Sequence, residues 1–181
     1  MSDEVFGRLT ALPAREHPDL LAAPVAEALR EYLPSALVAE IDPAFADTEA
    51  LCAEYGVPME ASANAVVVRG IRAGVDSHAV CMTLAHRRVD VNNVVRKRLG
   101  ARKASFAPME YAVEASGMEY GGITPVGVPA EWPIWVDEAV ADREWVCIGS
   151  GIRGSKLFVP TAELLRLPGA ERVEGLARDV G

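Results

Sequence analysis

The sequence has few of the residues that form disulfides or bind metal ions, with three cysteines and three histidines among 181 residues. Cys52, Cys81 and Cys147 lie far apart and form no C-x-x-C pair, which argues against a disulfide framework or a zinc site. The histidines do not have the spacing of metal ligands either. We therefore expect no metal ion, and no motif indicates an organic cofactor.

Long hydrophobic runs are also absent. No run approaches the roughly 18 apolar residues of a membrane span, although 50% of the residues are hydrophobic, enough for a substantial core. The start of the chain, Met1–Glu4, is acidic and lacks the basic-then-apolar pattern of a signal peptide. We expect a cytoplasmic protein that does not bind membranes.

Positive charge is scarce overall but concentrated in one segment. The net charge of −8 argues against broad, unaided binding to nucleic acid, and DNA is not an expected partner. Between residues 86 and 103, however, one acidic residue accompanies seven basic ones: Arg87, Arg88, Arg96, Lys97, Arg98, Arg102 and Lys103. This basic run is either a solvated helix face or a surface that faces phosphates, and the sequence leaves both interpretations open.

Hydrophobic spacing predicts strands linked by hairpins, with helices inserted at irregular intervals. Helices are expected at 18–33, 48–55, 90–100, 108–117 and 161–167, and strands at 36–41, 65–71, 79–85, 104–106, 134–137, 144–149 and 156–159. This order predicts an α+β fold rather than a regular β-α-β alternation. Residues 1–34 are expected to form an N-terminal helical extension on a domain that spans 35–181.

A stretch rich in glycine, Tyr120–Gly127, follows the predicted helix 108–117. Glycine tolerates positive φ and lets a ligand approach the backbone, while proline fixes φ. The stretch is either a plain turn between a helix and a strand or a rigid loop whose N–H groups face a ligand.

A second glycine motif, Gly149–Gly154, matches the G-x-G-x-x-G pattern of dinucleotide-binding proteins. That fold needs a helix after the motif, because the helix N-terminus holds the phosphates. Here the following residues, Lys156–Pro160, predict a strand. We therefore expect a tight β-hairpin at 149–154, whose tip and Arg153 could still contact a ligand.

The order of these segments resembles the YbaK/prolyl-tRNA synthetase-associated editing domain family. The resemblance covers roughly residues 36–177 and depends on a hairpin, Arg87–Asp90 before a helix, Gly121–Pro125, Val136-Asp137 and Gly149–Gly154. It implies a curved, mostly antiparallel sheet with inserted helices. It also implies hydrolysis of misacylated tRNA, typically tRNA for proline that carries cysteine or alanine, and hence a role in translation fidelity. Aminoacyl-tRNA is the implied partner, with an aminoacyl-tRNA synthetase as a further candidate.

The resemblance also implies site residues, because the G-x-x-x-P loop of the family maps onto Gly121–Pro125. We assign catalysis to Asn64, Gly121, Gly122 and Thr124. We assign substrate binding to Ile123, Pro125, Asp137, Gly149, Gly151, Arg153 and Gly154. We assign tRNA binding to Arg87, Arg88, Arg96, Lys97 and Lys103. Asp137 has an alternative interpretation as the cap of a turn at a strand end.

The sequence departs from the family at one position, since Asn64 stands where many members carry a lysine tied to substrate binding or catalysis. Asparagine keeps hydrogen-bonding groups but loses the positive charge. Of the three lysines in the chain, Lys103 and Lys156 are candidates to reach the site from elsewhere.

Three functions remain open from the sequence. The first is a trans-acting aminoacyl-tRNA deacylase. The second is a non-catalytic binding module that has lost the family lysine. The third is an enzyme for a different small ester or amide.

Overall fold

Two β-sheets pack face to face across the largest hydrophobic cluster of the protein, in a computed structural model that describes residues 3–180. The strands are β1 Leu12–Pro13, β2 Leu37–Glu40, β3 Ala63–Arg72, β4 Val75–Leu84, β5 Arg87–Val89, β6 Lys103–Phe106, β7 Ile134–Asp137, β8 Trp145–Gly149, β9 Ser155–Pro160, β10 Ala170–Val173 and β11 Ala177–Asp179. The α-helices are α1 Ala23–Tyr32, α2 Thr48–Tyr55, α3 Arg96–Arg98, α4 Met109–Ser116, α5 Glu138–Ala141 and α6 Thr161–Leu164. Within the described range, no helix has the length and hydrophobicity to cross a membrane.

The sheet order confirms the predicted α+β fold with mostly antiparallel pairing. One sheet has the order β1-β2-β9-β8, the second β10-β7-β4-β3-β6, and β11 pairs with β5 in a small third sheet. The strands thus divide among three sheets rather than one. Among residues 3–180, the parallel strand pairs are β4 with β7 and β7 with β10. In each pair a long connecting segment returns the chain to the same end of the sheet.

Alternation along the strands of the first sheet places its side chains in two layers. Leu157 and Val159 of β9 belong to the cluster between the sheets, whereas Phe158 belongs to a second cluster on the outer face. In β8, Val146 and Ile148 face inward and Cys147 faces outward. This is the period of two expected for a strand that is buried on both faces.

The predicted hairpin between β3 and β4 is present, with Arg72 paired to Val75. Its two-residue turn consists of Ala73 and Gly74, with φ of 51° and 77°. Positive φ at both positions is the geometry that matches the twist of the two strands. The turn therefore keeps ten residue pairs of β3 and β4 in register, from Ala63↔Leu84 to Arg72↔Val75.

The predicted helix at 18–33 starts later than expected, since α1 begins at Ala23 and Pro18–Leu20 form a 3₁₀ turn. Pro24 lies in the first turn of α1, where its missing N–H costs nothing. Val25 and Leu29 are fully buried in the cluster between the sheets. The division of the chain at residue 34 stays a prediction.

The predicted helix at 90–100 is only partly α-helical. Residues Val91–Val95 form a π-helical turn, in which the N–H of Val95 donates to the carbonyl oxygen of Asp90 at 3.1 Å, before α3 begins. The side chain of Asp90 accepts from the N–H of Asn93 at 3.0 Å and caps this turn. The hydrophobic pattern predicts a helix here but does not distinguish its hydrogen-bond spacing.

Candidate active site

A cavity of about 630 Å³ lies where the two large sheets meet. An isolated parallel bridge between Ser62 and Cys147 joins β8 to the residue before β3 at this junction. One wall is formed by the start of α2 and of β3, and the other by β8, β9 and the loop at Tyr120–Ile123. The volume is within the range of about 300–1,000 Å³ that is typical of small-molecule sites.

The two predicted glycine loops pack directly on each other. The N–H of Gly151 donates to the carbonyl oxygen of Gly122 at 2.7 Å, and the N–H of Glu119 donates to the carbonyl oxygen of Gly151 at 2.8 Å. A Cβ at Gly122 would lie 2.8 Å from backbone atoms of Ile152. Glycine is therefore required at this position because backbone approaches backbone.

Gly149 makes the same kind of contact beside the cavity. A Cβ there would lie 2.6 Å from the carbonyl oxygen of Gly122 and 2.7 Å from that of Ile123. Strand β8 therefore supports the loop from below, without an intervening side chain.

The N–H groups of the Gly121–Pro125 loop divide into two sets. The N–H of Gly122 donates to the carbonyl oxygen of Glu119 at 3.0 Å, and the N–H of Thr124 donates to the sulfur of Met118 at 3.5 Å. The N–H groups of Gly121 and Ile123 have no acceptor among residues 3–180, and both residues line the cavity. These two N–H groups are therefore available to a ligand.

Asn64 lines the opposite wall at the start of β3. Its Oδ1 accepts a hydrogen bond from the hydroxyl of Thr48 at 2.7 Å. Thr48 is the first residue of α2 and also lines the cavity. The bond fixes the orientation of the Asn64 amide, whose nitrogen has no partner among the described residues.

A lysine also lines this cavity. Lys156 on β9 is 8% exposed, and it has neither a carboxylate within 4.0 Å nor a hydrogen-bond partner among residues 3–180. Burial lowers the pKa of its amine, and electrostatic interaction with the nearby Cys147 sulfur and Asp47 carboxylate opposes this effect.

The structure brings some of the predicted site residues to the cavity and places others behind it. Asn64, Gly121, Ile123 and Gly149 line the cavity. Four more do not line the cavity. Gly122 and Gly151 make the close contacts that hold the loops, and Thr124 and Pro125 are buried beneath them. Thr124 is fully buried, and its Oγ1 has no hydrogen-bond partner in the described part of the chain. A Cβ at Gly154 would meet open space.

Arg153 connects the loops at the rim of the cavity. Its backbone N–H donates to Glu119 Oε2 at 2.9 Å, and its guanidinium donates to the carbonyl oxygen of Pro43 at 3.1 Å. The guanidinium also lies 3.9 Å from the carboxylate of Asp47 and 5.8 Å from the ring centre of Tyr120.

Asp137 lies away from the cavity, at the end of β7. It is fully buried and forms an ion pair with Arg87, and its carboxylate accepts from the N–H of Ala177 at 2.9 Å and from the N–H of Ala139 at 3.3 Å. Burial raises the pKa of Asp137, and the contacts with Ala177 and Arg87 oppose this effect. In the structure Asp137 thus caps α5, which is the alternative interpretation given above.

None of the five predicted tRNA-binding residues lines the cavity. Arg87 is held by Asp137, and the Nε of Arg96 donates to the carbonyl oxygen of Asn92 at 2.8 Å. The other three are exposed and have no side-chain partner among residues 3–180: Arg88, Lys97 and Lys103.

Two of the three cysteines are deeply buried. Burial raises the pKa of both Cys81 and Cys147 to about 12. Across residues 3–180, no group of three or more histidine, cysteine, aspartate or glutamate side chains could hold a metal ion.

Sequence reasoning did not identify Thr48 or Tyr120 as site residues and named Lys156 only as one of two lysines that could reach the site. A signal for Lys156 was present, because it is the only charged residue in the apolar strand Ser155–Pro160. Thr48 carries no comparable signal, since its contact with Asn64 depends on the packing of α2 against β3.

Comparison with solved structures shows the same fold. The crystal structure of hypothetical protein APE2540 matches with a TM-score of 0.75 at 19% identity, over 86% of this chain and 99% of that chain. The crystal structure of a candidate trans-editing enzyme for prolyl-tRNA synthetase matches with a TM-score of 0.71 at 20% identity, over 84% of this chain and 94% of that chain. The family model for the aminoacyl-tRNA editing domain matches residues 42–167. This match spans more than two thirds of the sequence and includes both glycine loops, so the chain belongs to the aminoacyl-tRNA editing domain family.

Proposed function

We propose that this protein hydrolyses the ester of misacylated tRNA in trans, and that its substrate is tRNA for proline that carries cysteine or alanine. The observation that carries the proposal is that Asn64 and the Gly121 loop line the same cavity. Membership of the editing family supports the reaction class. The choice of tRNA and amino acid comes from the family resemblance and from the name of the similar structure.

The cavity suits the end of an acylated tRNA in size and in its groups. A volume of about 630 Å³ is enough for a small amino acid joined to a terminal adenosine. Tyr120 is 60% exposed at the rim, where a base can stack on its ring. Asn64 contributes an amide that hydrogen-bonds the amino acid or the terminal phosphate.

Ester hydrolysis builds negative charge on the carbonyl oxygen, and fixed N–H donors stabilise that charge. The unpaired N–H groups of Gly121 and Ile123 are the donors that this loop offers to a ligand. The contacts of Gly122 with Ile152 and Gly149 hold the loop in place before substrate binds. The nucleophile is water or a substrate group, such as the ribose hydroxyl or a substrate thiol.

The test is the deacylation of a panel of mischarged tRNAs by the purified protein, with Gly121→Leu and Gly74→Leu as a matched pair. Both glycines have φ of 77°, a region that side chains rarely adopt, so both substitutions strain the backbone. Gly74 lies at an exposed turn with open space around it, whereas Gly121 lines the cavity and a side chain there would also displace the guanidinium of Arg153. We expect turnover by the wild type and by Gly74→Leu, and loss of turnover in Gly121→Leu. Equal activity of the two variants would contradict the proposal.

A specific observation favours a second function, a non-catalytic binding module, because the family lysine is replaced by Asn64. Such a module would bind aminoacyl-tRNA without hydrolysing it, and Asn64→Lys would gain activity. If tRNA neither binds nor competes, a different small ester or amide becomes the substrate class to test.

A further inference from the structure

Lys156 is an unusual residue for the strand that carries it. The neighbouring residues Leu157–Val159 are fully buried, and alternation places Lys156 on the face of β9 that also carries Phe158. Its backbone pairs in register with Gly149, which supports the glycine loop. Lys156 therefore lies on the strand next to β8, which supports the Gly121–Pro125 loop, and its side chain lines the cavity.

The other charged groups at the cavity do not neutralise Lys156. Asp47 is 3.9 Å from Arg153, and the side chain of Glu49 is exposed. Cys147 is buried, which favours its neutral thiol. In the part of the chain that the structure describes, the side chain of Lys156 is thus largely buried, and its amine has neither a carboxylate within 4.0 Å nor a hydrogen-bond acceptor, so its one open side is the cavity.

An unpaired buried cation destabilises a fold, and an apolar side chain of similar volume removes that cost. Structure alone therefore gives no reason for a lysine at this position. A negatively charged group that enters the cavity would supply the missing partner. In the proposed reaction, the ester carbonyl oxygen becomes such a group.

We propose that Lys156 is a catalytic residue, whose ammonium stabilises the negative charge on the ester carbonyl oxygen during hydrolysis. This inference rests on the proposed function. The water oxygen bonds to the carbonyl carbon, and the π electrons move to the carbonyl oxygen, next to the ammonium. When these electrons re-form the carbonyl double bond, the bond between the carbonyl carbon and the ribose oxygen breaks. The proton from the attacking water passes to the ribose oxygen, which gives a free amino acid and a tRNA 3′ end.

The lysine thereby supplies, from β9, the positive charge that Asn64 on β3 lacks. The N–H groups of Gly121 and Ile123 and the ammonium of Lys156 would act on the same oxygen. Removing one such donor typically lowers kcat by about 100- to 1,000-fold.

The experiment compares Lys156→Met with the wild type in deacylation of mischarged tRNA under steady-state and single-turnover conditions. Arg166→Met is the control, because it removes one positive charge at an exposed residue that does not line the cavity. We expect a loss of about 100-fold or more in kcat for Lys156→Met, with KM changed far less. We also expect its melting temperature to equal or exceed that of the wild type, which a structural role would not produce.

A second variant, Lys156→Ala, leaves a space that a small alkylamine can fill. We expect added ethylamine or propylamine to restore part of its activity, and no effect of the amines on the control. Amine rescue of Lys156→Ala therefore tests the role of Lys156 even if Lys156→Met fails to fold.

The outcomes separate the two proposals. If the wild type deacylates tRNA and Lys156→Met retains its kcat, the role of Lys156 is overturned and the proposed function stands. An absence of amine rescue in Lys156→Ala likewise overturns the role. If the wild type hydrolyses no aminoacyl ester, the proposed function fails and the role of Lys156 fails with it.

Discussion

The amide of Gly151 donates to the carbonyl oxygen of Gly122 at 2.7 Å, which ties together two loops that are separated by almost thirty residues in the sequence. The contact leaves no room for side chains between the loops. Because Gly149 lies under the carbonyl oxygens of the same loop, the position of one cavity wall depends mainly on close packing of backbone against backbone.

The first prediction concerns Gly149→Ala. A methyl group would lie 2.6 Å from the carbonyl oxygen of Gly122, so the loop must move. We expect a loss of about 1–3 kcal/mol in the free energy of unfolding. We also expect lower deacylation activity at temperatures where the variant is folded. Denaturant unfolding and single-turnover kinetics check this, and an unchanged stability would show that the loop is not packed as described.

The second prediction concerns the buried ion pair of Asp137 and Arg87. Asp137→Ala would remove the buried partner of Arg87, which keeps only the exposed Asp179 at 3.2 Å, and would leave the N–H groups of Ala177 and Ala139 without their acceptor. We expect a loss of about 3 kcal/mol in the free energy of unfolding. Asp142→Ala breaks the exposed pair with Arg172 and should change stability by less than about 1 kcal/mol. Urea unfolding of both variants makes the comparison. Similar small effects would argue against a structural role for Asp137.

The third prediction concerns the exposed part of the basic run. If Arg88, Lys97 and Lys103 contact tRNA phosphates, replacing all three with glutamine reduces the slope of log affinity against log salt by roughly 2–3. Arg166→Gln should leave the slope unchanged. Filter binding of uncharged tRNA over a series of salt concentrations measures the slope for each protein. An unchanged slope in the triple variant would favour the interpretation of the basic run as a solvated face.

The fourth prediction concerns the pH dependence of stability at Lys156. Its pKa in the folded protein lies below the ordinary 10.5, because burial outweighs the opposing interactions with the Cys147 sulfur and the Asp47 carboxylate. The cost of burying the ammonium is therefore present at neutral pH and disappears as the pH rises towards 10.5. We expect Lys156→Met to be more stable than the wild type at pH 7 and this difference to shrink by pH 10.

Nearby charged and titratable groups, Cys52, Cys147, Asp47 and Arg153, are present in both proteins, so the comparison isolates the lysine. Chemical denaturation at the two pH values supplies the measurement. A difference that does not depend on pH would mean that the amine of Lys156 is solvated in the folded protein.

Local patterns predicted most of the elements of this fold. The alternation and turn residues around Ala73-Gly74 specify the β3–β4 hairpin, and helical spacing with Gly117 specifies α4 closely. The same spacing placed the end of α1 well but its start five residues too early, at residue 18 instead of Ala23. The parallel pairing of β7 was not predictable in this way. It depends on where the chain returns after the segment from residue 85 to 133, and no local pattern encodes that path.

The candidate site was predictable where it consists of backbone. Glycine marks close approach directly, so the loops at 121 and 149 could be selected from the sequence. The side chains of the opposite wall were harder to select. The hydroxyl of Thr48 reaches Asn64 only because α2 packs beside β3, and the burial of Lys156 follows from the covering of the outer face of β9.

The bridge between Ser62 and Cys147 joins the two large sheets at the edge of the cavity, and both residues line it. Val146 and Leu157 point to the other face of their sheet and lie in the layer between the sheets. A substitution that opens this join should therefore change the width of the cavity while the inner hydrophobic layer stays in place.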